Sequence, residues 1–368
     1  MKKVRSIIVN TLVLGCLSFG SAKSDDIITG YDFEGNGWQT KLACFEANTK
    51  QDNLNNVRVK SNAKLRAGIN NQLTVLKRSA NSPNSKAQNH QELIENLEHV
   101  STLIKQENVS IALSDFTYHR ISGEDNCGNV LLTGYFTPTI ELKRQPDSLY
   151  RYPFYVLPAT HSGLRALTRK QIDIERGLDG LDLEIGYSAS LLDNYIVHIQ
   201  GSSYAKFIET KELITLGFAG KNKHKYASLG KHLVDKGLIA KDEISLPAIR
   251  HFFKKHPDKL SQMLAINPSY VFFTETGNAP LTSSNVPALN GVTAAVDPKF
   301  IPHGSLLLIE YPILNADLKV VDREYKFLIA SDSGSAIKGN GHIDIYYGDD
   351  REAAGSLKHY GQVWIMSR

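Results

Sequence analysis

The chain has 368 residues, of which 42 are Lys or Arg and 38 are Asp or Glu, giving a formal charge of +4, with 42% hydrophobic and 9% aromatic residues. At roughly 100 to 200 residues per domain this length allows two or three domains with a well-buried core, and the composition excludes disordered, collagenous and cysteine-scaffold classes. Three cations, Lys2, Lys3 and Arg5, crowd the start; without them 39 basic groups face 38 acidic ones, a balance that does not suit nucleic acid or an anionic membrane surface as the main partner.

Those cations precede an apolar run from Ile7 to Leu17 and the small residues Gly20, Ser21 and Ala22. This is the pattern of a signal peptide, and the run is shorter than the roughly 20 residues a membrane-spanning helix needs. Two exits are open. Val13-Leu14-Gly15-Cys16 resembles a lipobox, which would make Cys16 an acylated first residue and the leader 1–15; cleavage after Ala22 would make it 1–22. Either way the protein is expected to be exported to the periplasm, held at the outer membrane by lipid in the first case. In an oxidising compartment Cys44 and Cys127 are a candidate disulfide, against the reading of two unrelated buried thiols. They lie far apart with no His clustered near either, so no metal site and no cofactor are expected.

Next, Asn62 to Ser79 and His90 to Gln106 space apolar residues at three and four, as in Leu93, Leu97, Val100, Leu103 and Ile104, and read as amphipathic helices. Asn81 to Asn89 reads as a loop. Val130 to Phe136, Tyr152 to Leu157 and Tyr195 to Gln200 read as strands. Helices return between Tyr226 and Ala265, with Pro247 and Pro257 at helix starts. Short strands follow at Ser305 to Glu310, Lys326 to Ala330, Ile343 to Tyr347 and Gln362 to Met366. Short strands punctuated by Gly and Pro, with no repeated strand-helix rhythm, argue for barrels rather than a doubly wound sheet.

Three aspartates stand in similar settings near the C-terminus: Val296-Asp297-Pro298, Ser331-Asp332-Ser333-Gly334 and Ile343-Asp344-Ile345-Tyr346. Asp297 and Asp332 are also good turn residues and have a plain structural reading. Asp344 differs, because it interrupts an apolar strand where Asp is disfavoured. Period-two alternation puts His342, Asp344 and Tyr346 on one face and Ile343 and Ile345 on the other. Thr133 and Tyr135 share a face of their own strand, and Gln200-Gly201-Ser202-Ser203 follows another apolar run. Such neutral donors and aromatic rings suit sugar hydroxyls and pyranose faces, and equally suit turns and half-buried strand positions. His161, His198, His224, His232 and His251 are scattered and read as solvated or locally hydrogen-bonded. No phosphate-cradling loop, His-Glu-x-x-His or Gly-x-Ser-x-Gly occurs, so nucleotide, zinc and acyl-enzyme chemistry are not indicated.

Leu132-Thr133-Gly134-Tyr135-Phe136-Thr137-Pro138, Asp193-Asn194 to Gln200-Gly201-Ser202, Phe218 to Asn222, Asn267 to Phe273 and the three aspartate motifs, in that order, make the chain resemble the membrane-bound lytic transglycosylase A family from about Val130 to Trp364. Ser203 stands where that family usually has Gly, and Lys223 and Lys225 replace smaller residues. The resemblance implies a mainly β fold with accessory helices: a double-psi β-barrel from residues 23–137 and 277–368, the latter its 3D domain, and an inserted smaller β-rich domain, 138–276, with a glycan groove between them. It also implies non-hydrolytic cleavage of the bond from N-acetylmuramic acid to N-acetylglucosamine in peptidoglycan strands, leaving 1,6-anhydromuramoyl ends, with cell-wall synthesis or lysis proteins as partners. Asp344 would be the acid and base, Asp297 and Asp332 would orient the site, and Thr133, Tyr135, Gln200, Ser202, Lys338 and Tyr346 would line the groove. An Asp in water has a pKa of about 3.9, so Asp344 must be held protonated by desolvation or a neighbouring charge such as Asp332. Two other readings stay open, a silent glycan-binding barrel and a hydrolase using two of the aspartates.

Overall fold

The computed structural model describes residues 28–31, 38–41, 54–80, 90–106, 109–160, 162–241, 243–276, 279–314 and 320–368. The leader, Cys16, Cys44, the 81–89 loop and His161 lie outside the described residues.

Six strands close into a barrel. In ring order they are Leu306–Leu314, Val320–Asp332, Thr293–Ala295, His342–Tyr346, Val130–Tyr135 and Lys358–Ser367, the last pairing back onto the first. A seventh strand, Thr117–Arg120, extends from Lys358–Ser367. The chain thus enters the barrel by one strand and returns at Thr293, with 157 residues between, after an excursion whose strands form sheets of their own.

Continuous apolar runs in the barrel strands are explained by burial on both faces. Leu307 and Ile309 join Val130, Leu132, Leu328, Ala330, Ile343 and Ile345 in one core. Their neighbours Leu306 and Leu308 turn the other way and pack with Phe327, Ile329 and Trp364 under two helices, Ala63–Ala80 and His90–Leu103. Those helices present Leu65, Ile69, Leu73 and Leu76, and Ile94, Leu97 and Val100, each at the three-and-four spacing of one helix face. The Asn62 carboxamide oxygen caps the first by accepting from the Leu65 amide at 2.8 Å.

The excursion holds a four-stranded sheet in the order Val271–Thr276, Leu213–Lys221, Ser203–Phe207, Thr139–Leu142, plus an antiparallel pair of Tyr152–Tyr155 and Glu184–Ser188. Ser203–Phe207 runs parallel to Thr139–Leu142, and the segment before it is the helix Leu191–Gln200. The strand expected over Tyr195 to Gln200 is therefore wrong. Its β-branched and aromatic residues are buried on nearly every side, between the sheet core around Val197 and a helical core around Leu192, Tyr195 and Ile196, so packing overrides β propensity. Ser190 starts the helix by accepting from the Asp193 amide at 3.2 Å, and Gly201, at φ 81°, ends it. Further on, Leu246–Lys255 begins with Pro247 in its first turn, and Pro257 opens a short 3-10 turn leading into Leu260–Leu264.

Nothing in the sequence marked Arg169, which is 2% exposed in the core of the excursion. Its guanidinium lies 4.9 Å from the ring centres of both Tyr195 and Tyr270, and donates to Asp173 and to the Ser269 carbonyl at 3.2 and 2.9 Å. It also donates to His198 Nδ1 at 3.0 Å, so His198 is a buried acceptor rather than a solvated residue. Burial, and then the Arg169 charge, hold its pKa well below the ordinary value.

Candidate active site

Asp344 lies in the middle of the His342–Tyr346 strand, in register with Thr133 on one side and Ala295 on the other. The alternation expected from sequence holds at its centre. Ile343 and Ile345 fill the barrel core, while His342 and Asp344 stand half-buried on the opposite face. Thr133 donates to Asp344 Oδ1 at 2.7 Å, and its Oγ1 lies 2.8 Å from His342 Nε2. Desolvation, with a smaller contribution from the Asp332 charge, pushes the Asp344 carboxyl up to about 7 against the opposing pull of the Thr133 bond.

Asp332 ends the Val320–Asp332 strand. Its Oδ2 accepts from the Tyr135 hydroxyl at 2.7 Å, and its Oδ1 accepts from the Ser283 and Ser333 amides at 2.9 and 2.8 Å. Burial and the Asp332 charge raise the Tyr135 phenol well above its ordinary pKa, so it is a neutral donor. The Tyr135 and Tyr346 rings lie 5.1 Å apart, and the Tyr346 hydroxyl is 2.8 Å from Thr137 Oγ1.

Between Thr133 and Tyr135 only glycine fits. A Cβ on Gly134 would sit 2.6 Å from the Ala354 carbonyl oxygen, so its absence lets the short helix Arg351–Ser356 lie against this strand.

Asp297 is placed otherwise. It is 5% exposed, on the turn after Thr293–Ala295, and its carboxylate accepts from the Gly339 and Lys299 amides at 3.0 and 3.1 Å. Those two bonds hold its pKa below the usual carboxylate range. The Val296 amide donates to the Asp332 carbonyl at 3.0 Å, so this turn and the Asp332 strand end are tied by backbone. Lys338 is exposed beside that turn. Gln200 Oε1 reaches the Phe136 amide at 3.4 Å from the end of its helix, and half-exposed Ser202 follows it. A cleft of about 640 Å³ opens next to Phe136 where the excursion meets the barrel, with Val197 on one wall and Asp349 and Arg351 on the other.

The expected site residues therefore divide. Asp344, Thr133, Asp332, Tyr135 and Tyr346 lie on neighbouring elements around one face. Asp297 and Lys338 form an adjoining turn, and Gln200 and Ser202 approach from the excursion. His342 was expected only as a neighbour of Asp344 on the same face, and its contact with Thr133 emerges from the parallel pairing of two strands more than 200 residues apart in sequence. Cys127 is disulfide-bonded.

Residues 131–274 match the family described as the MltA specific insert domain, and residues 292–367 match the 3D domain. The membrane-bound lytic murein transglycosylase A of Vibrio cholerae is 39% identical over 253 residues, covering 67% of this chain and 68% of that protein. The protein of the same name from Escherichia coli K12 is 38% identical over the same shares. Among solved structures, Escherichia coli MltA with bound chitohexaose superposes with a TM-score of 0.67 at 32% identity, covering 84% of this chain and 91% of that one. The membrane-bound lytic murein transglycosylase of Agrobacterium tumefaciens gives 0.69 at 26% identity over 83% and 93%.

Proposed function

The chain belongs to the membrane-bound lytic murein transglycosylase A family, and from that premise we propose that Asp344 is the single acid and base with which it cuts peptidoglycan glycan strands. The protein is a peptidoglycan lytic transglycosylase. One observation carries the assignment of Asp344: a carboxyl group held at about 7 on the open face of a barrel strand, with one oxygen occupied by Thr133.

Ordinary glycosidases need two carboxyl groups, one to protonate the leaving oxygen and one to activate water or attack the sugar. Here the sugar supplies its own nucleophile. Protonated Asp344 gives its proton to the bridging oxygen as the bond from C1 of N-acetylmuramic acid to that oxygen breaks, which frees the 4-hydroxyl of N-acetylglucosamine. The C6 hydroxyl oxygen then bonds to C1, and its proton passes to the Asp344 carboxylate, restoring the acid. The product carries a 1,6-anhydro ring and no water is consumed.

Asp332 and Tyr135 act as one hydrogen-bonded unit beside Asp344, with the Asp332 charge favouring its protonated form. Asp297 fixes its turn through backbone amides. Gln200, Ser202 and Lys338 line the approach of the glycan, and Tyr346, itself buried, packs against Tyr135 and backs that wall; one solved relative carries chitohexaose. The insert, taken as residues 138–276, and the barrel hold the glycan strand between them; the sheet separate from the barrel and the match over residues 131–274 support that division.

The leader exports the chain to the periplasm, and acylation of Cys16 anchors it at the outer membrane. Among the described residues no helix is long and apolar enough to cross a membrane. Mass spectrometry of muropeptides released from purified sacculi tests the reaction: 1,6-anhydro ends support it, whereas reducing ends would establish hydrolysis by an aspartate pair, and binding without release a silent barrel.

A further inference from the structure

A hydroxyl group has one proton to give, and Thr133 Oγ1 sits between two partners, Asp344 Oδ1 at 2.7 Å and His342 Nε2 at 2.8 Å. Two directions satisfy this geometry. In one, His342 Nε2–H donates to Thr133, which donates to Asp344 Oδ1. In the other, Asp344 Oδ1–H donates to Thr133, which donates to a bare His342 Nε2. The second traps the proton that catalysis needs in a bond to Thr133. Only the first serves both states of the carboxyl group, since it gives the carboxylate a donor after proton transfer and leaves Oδ2 to carry the proton beforehand.

Resting on the assignment of Asp344 as the acid, we propose that His342 is a positioning residue: by donating from Nε2 to Thr133 it commits the Thr133 hydroxyl to Asp344 Oδ1 and places the transferable proton on Oδ2. Burial, and secondarily Lys358, hold the imidazole down at about 4, so it is neutral over the working range and its single N–H has a definite place. The charged and titratable groups around the pair are Tyr135 on the neighbouring strand, Asp332 at the end of the strand beyond Thr293–Ala295, Lys358 on the strand beyond Thr133, and Glu124, which packs against Gly341. Of these, Asp332 acts on Asp344 and Lys358 on His342; Thr133 is what couples the two.

His342→Phe removes the donor. The Thr133 hydroxyl is then free to turn and accept from Oδ1–H, an arrangement open only to the protonated acid. The acid is stabilised while its proton is misplaced. At the roughly 1 kcal/mol typical of one hydrogen bond, kcat falls about fivefold, with KM within about twofold, and the alkaline limb of the pH profile moves to higher pH. His342→Gln, whose amide nitrogen reaches the same place as Nε2, restores most of both. In a Thr133→Val background His342→Phe costs nothing more, because the relay is already gone. In the wild-type protein, nitrogen-15 spectra are expected to show His342 protonated at Nε2. A bare Nε2, an unshifted alkaline limb in His342→Phe, failure of His342→Gln to rescue, or additive losses with Thr133→Val would each overturn the proposal. An inactive Asp344→Asn beside an unaltered His342→Phe sinks the relay alone; an active Asp344→Asn sinks both it and the assignment beneath it.

Discussion

Tyr135 donates its phenolic proton to Asp332 Oδ2 at 2.7 Å, joining the strand that carries Thr133 to the strand end that carries Asp332. The bond fixes a negative charge where it disfavours a second one on Asp344. Asp332→Asn keeps the shape and removes the charge. The Asp344 pKa then falls toward the ordinary range, so less of it is protonated at neutral pH, and the alkaline limb of the kcat profile shifts to lower pH. A pH series on the two proteins checks this, and an unmoved limb means that Asp332 acts through geometry alone.

The raised carboxyl also has a cost in stability. An Asp held at about 7 in the folded state and near 3.9 unfolded binds its proton more tightly when folded, so its contribution is fully present below about pH 4 and is lost as pH rises through about 7. Asp344→Asn cannot ionise. The variant is expected to exceed the wild type in stability at pH 8 by up to roughly 4 kcal/mol, with the difference shrinking toward pH 4. Chemical denaturation at the two pH values measures it; a variant less stable at pH 8 than at pH 4, relative to wild type, contradicts the shift.

Much of this site was legible because strand geometry is local. Asp344 between Ile343 and Ile345 announces its face by alternation alone, and Thr133 and Tyr135 do the same. What was hidden depends on contacts distant in sequence. His342 gains meaning only when a strand some 200 residues upstream pairs beside it, and Arg169 finds its partners 29 and 100 residues away. The helix Leu191–Gln200 was misread because burial around most of its circumference erases the apolar stripe. Its local signals were Ser190, three residues before the amide it caps, and Gly201 just past its end.

Cys127 is disulfide-bonded, and Cys44 is its proposed partner. The denatured, unreduced mature protein should then show no free thiol at either position, and reduction should cost about 2–4 kcal/mol of stability. Labelling that finds two reactive thiols ends the pairing.

Cys16→Ala tests the anchor. With a working lipobox, the protein fractionates with membranes and the variant with the soluble periplasm. Equal soluble fractions and an unmodified N-terminus at Lys23 would favour cleavage after Ala22.

The sharpest measurement is muropeptide release from sacculi by Asp344→Asn. Asn matches the carboxyl group in size and still hydrogen-bonds, but cannot give and retrieve a proton. General acid and base help is worth roughly 10² to 10⁴, and one group performs both transfers here. The expected result is a folded, glycan-binding protein whose rate of forming 1,6-anhydro products falls by at least about 10³. Near-normal formation of those products by a folded Asp344→Asn protein would contradict the mechanism.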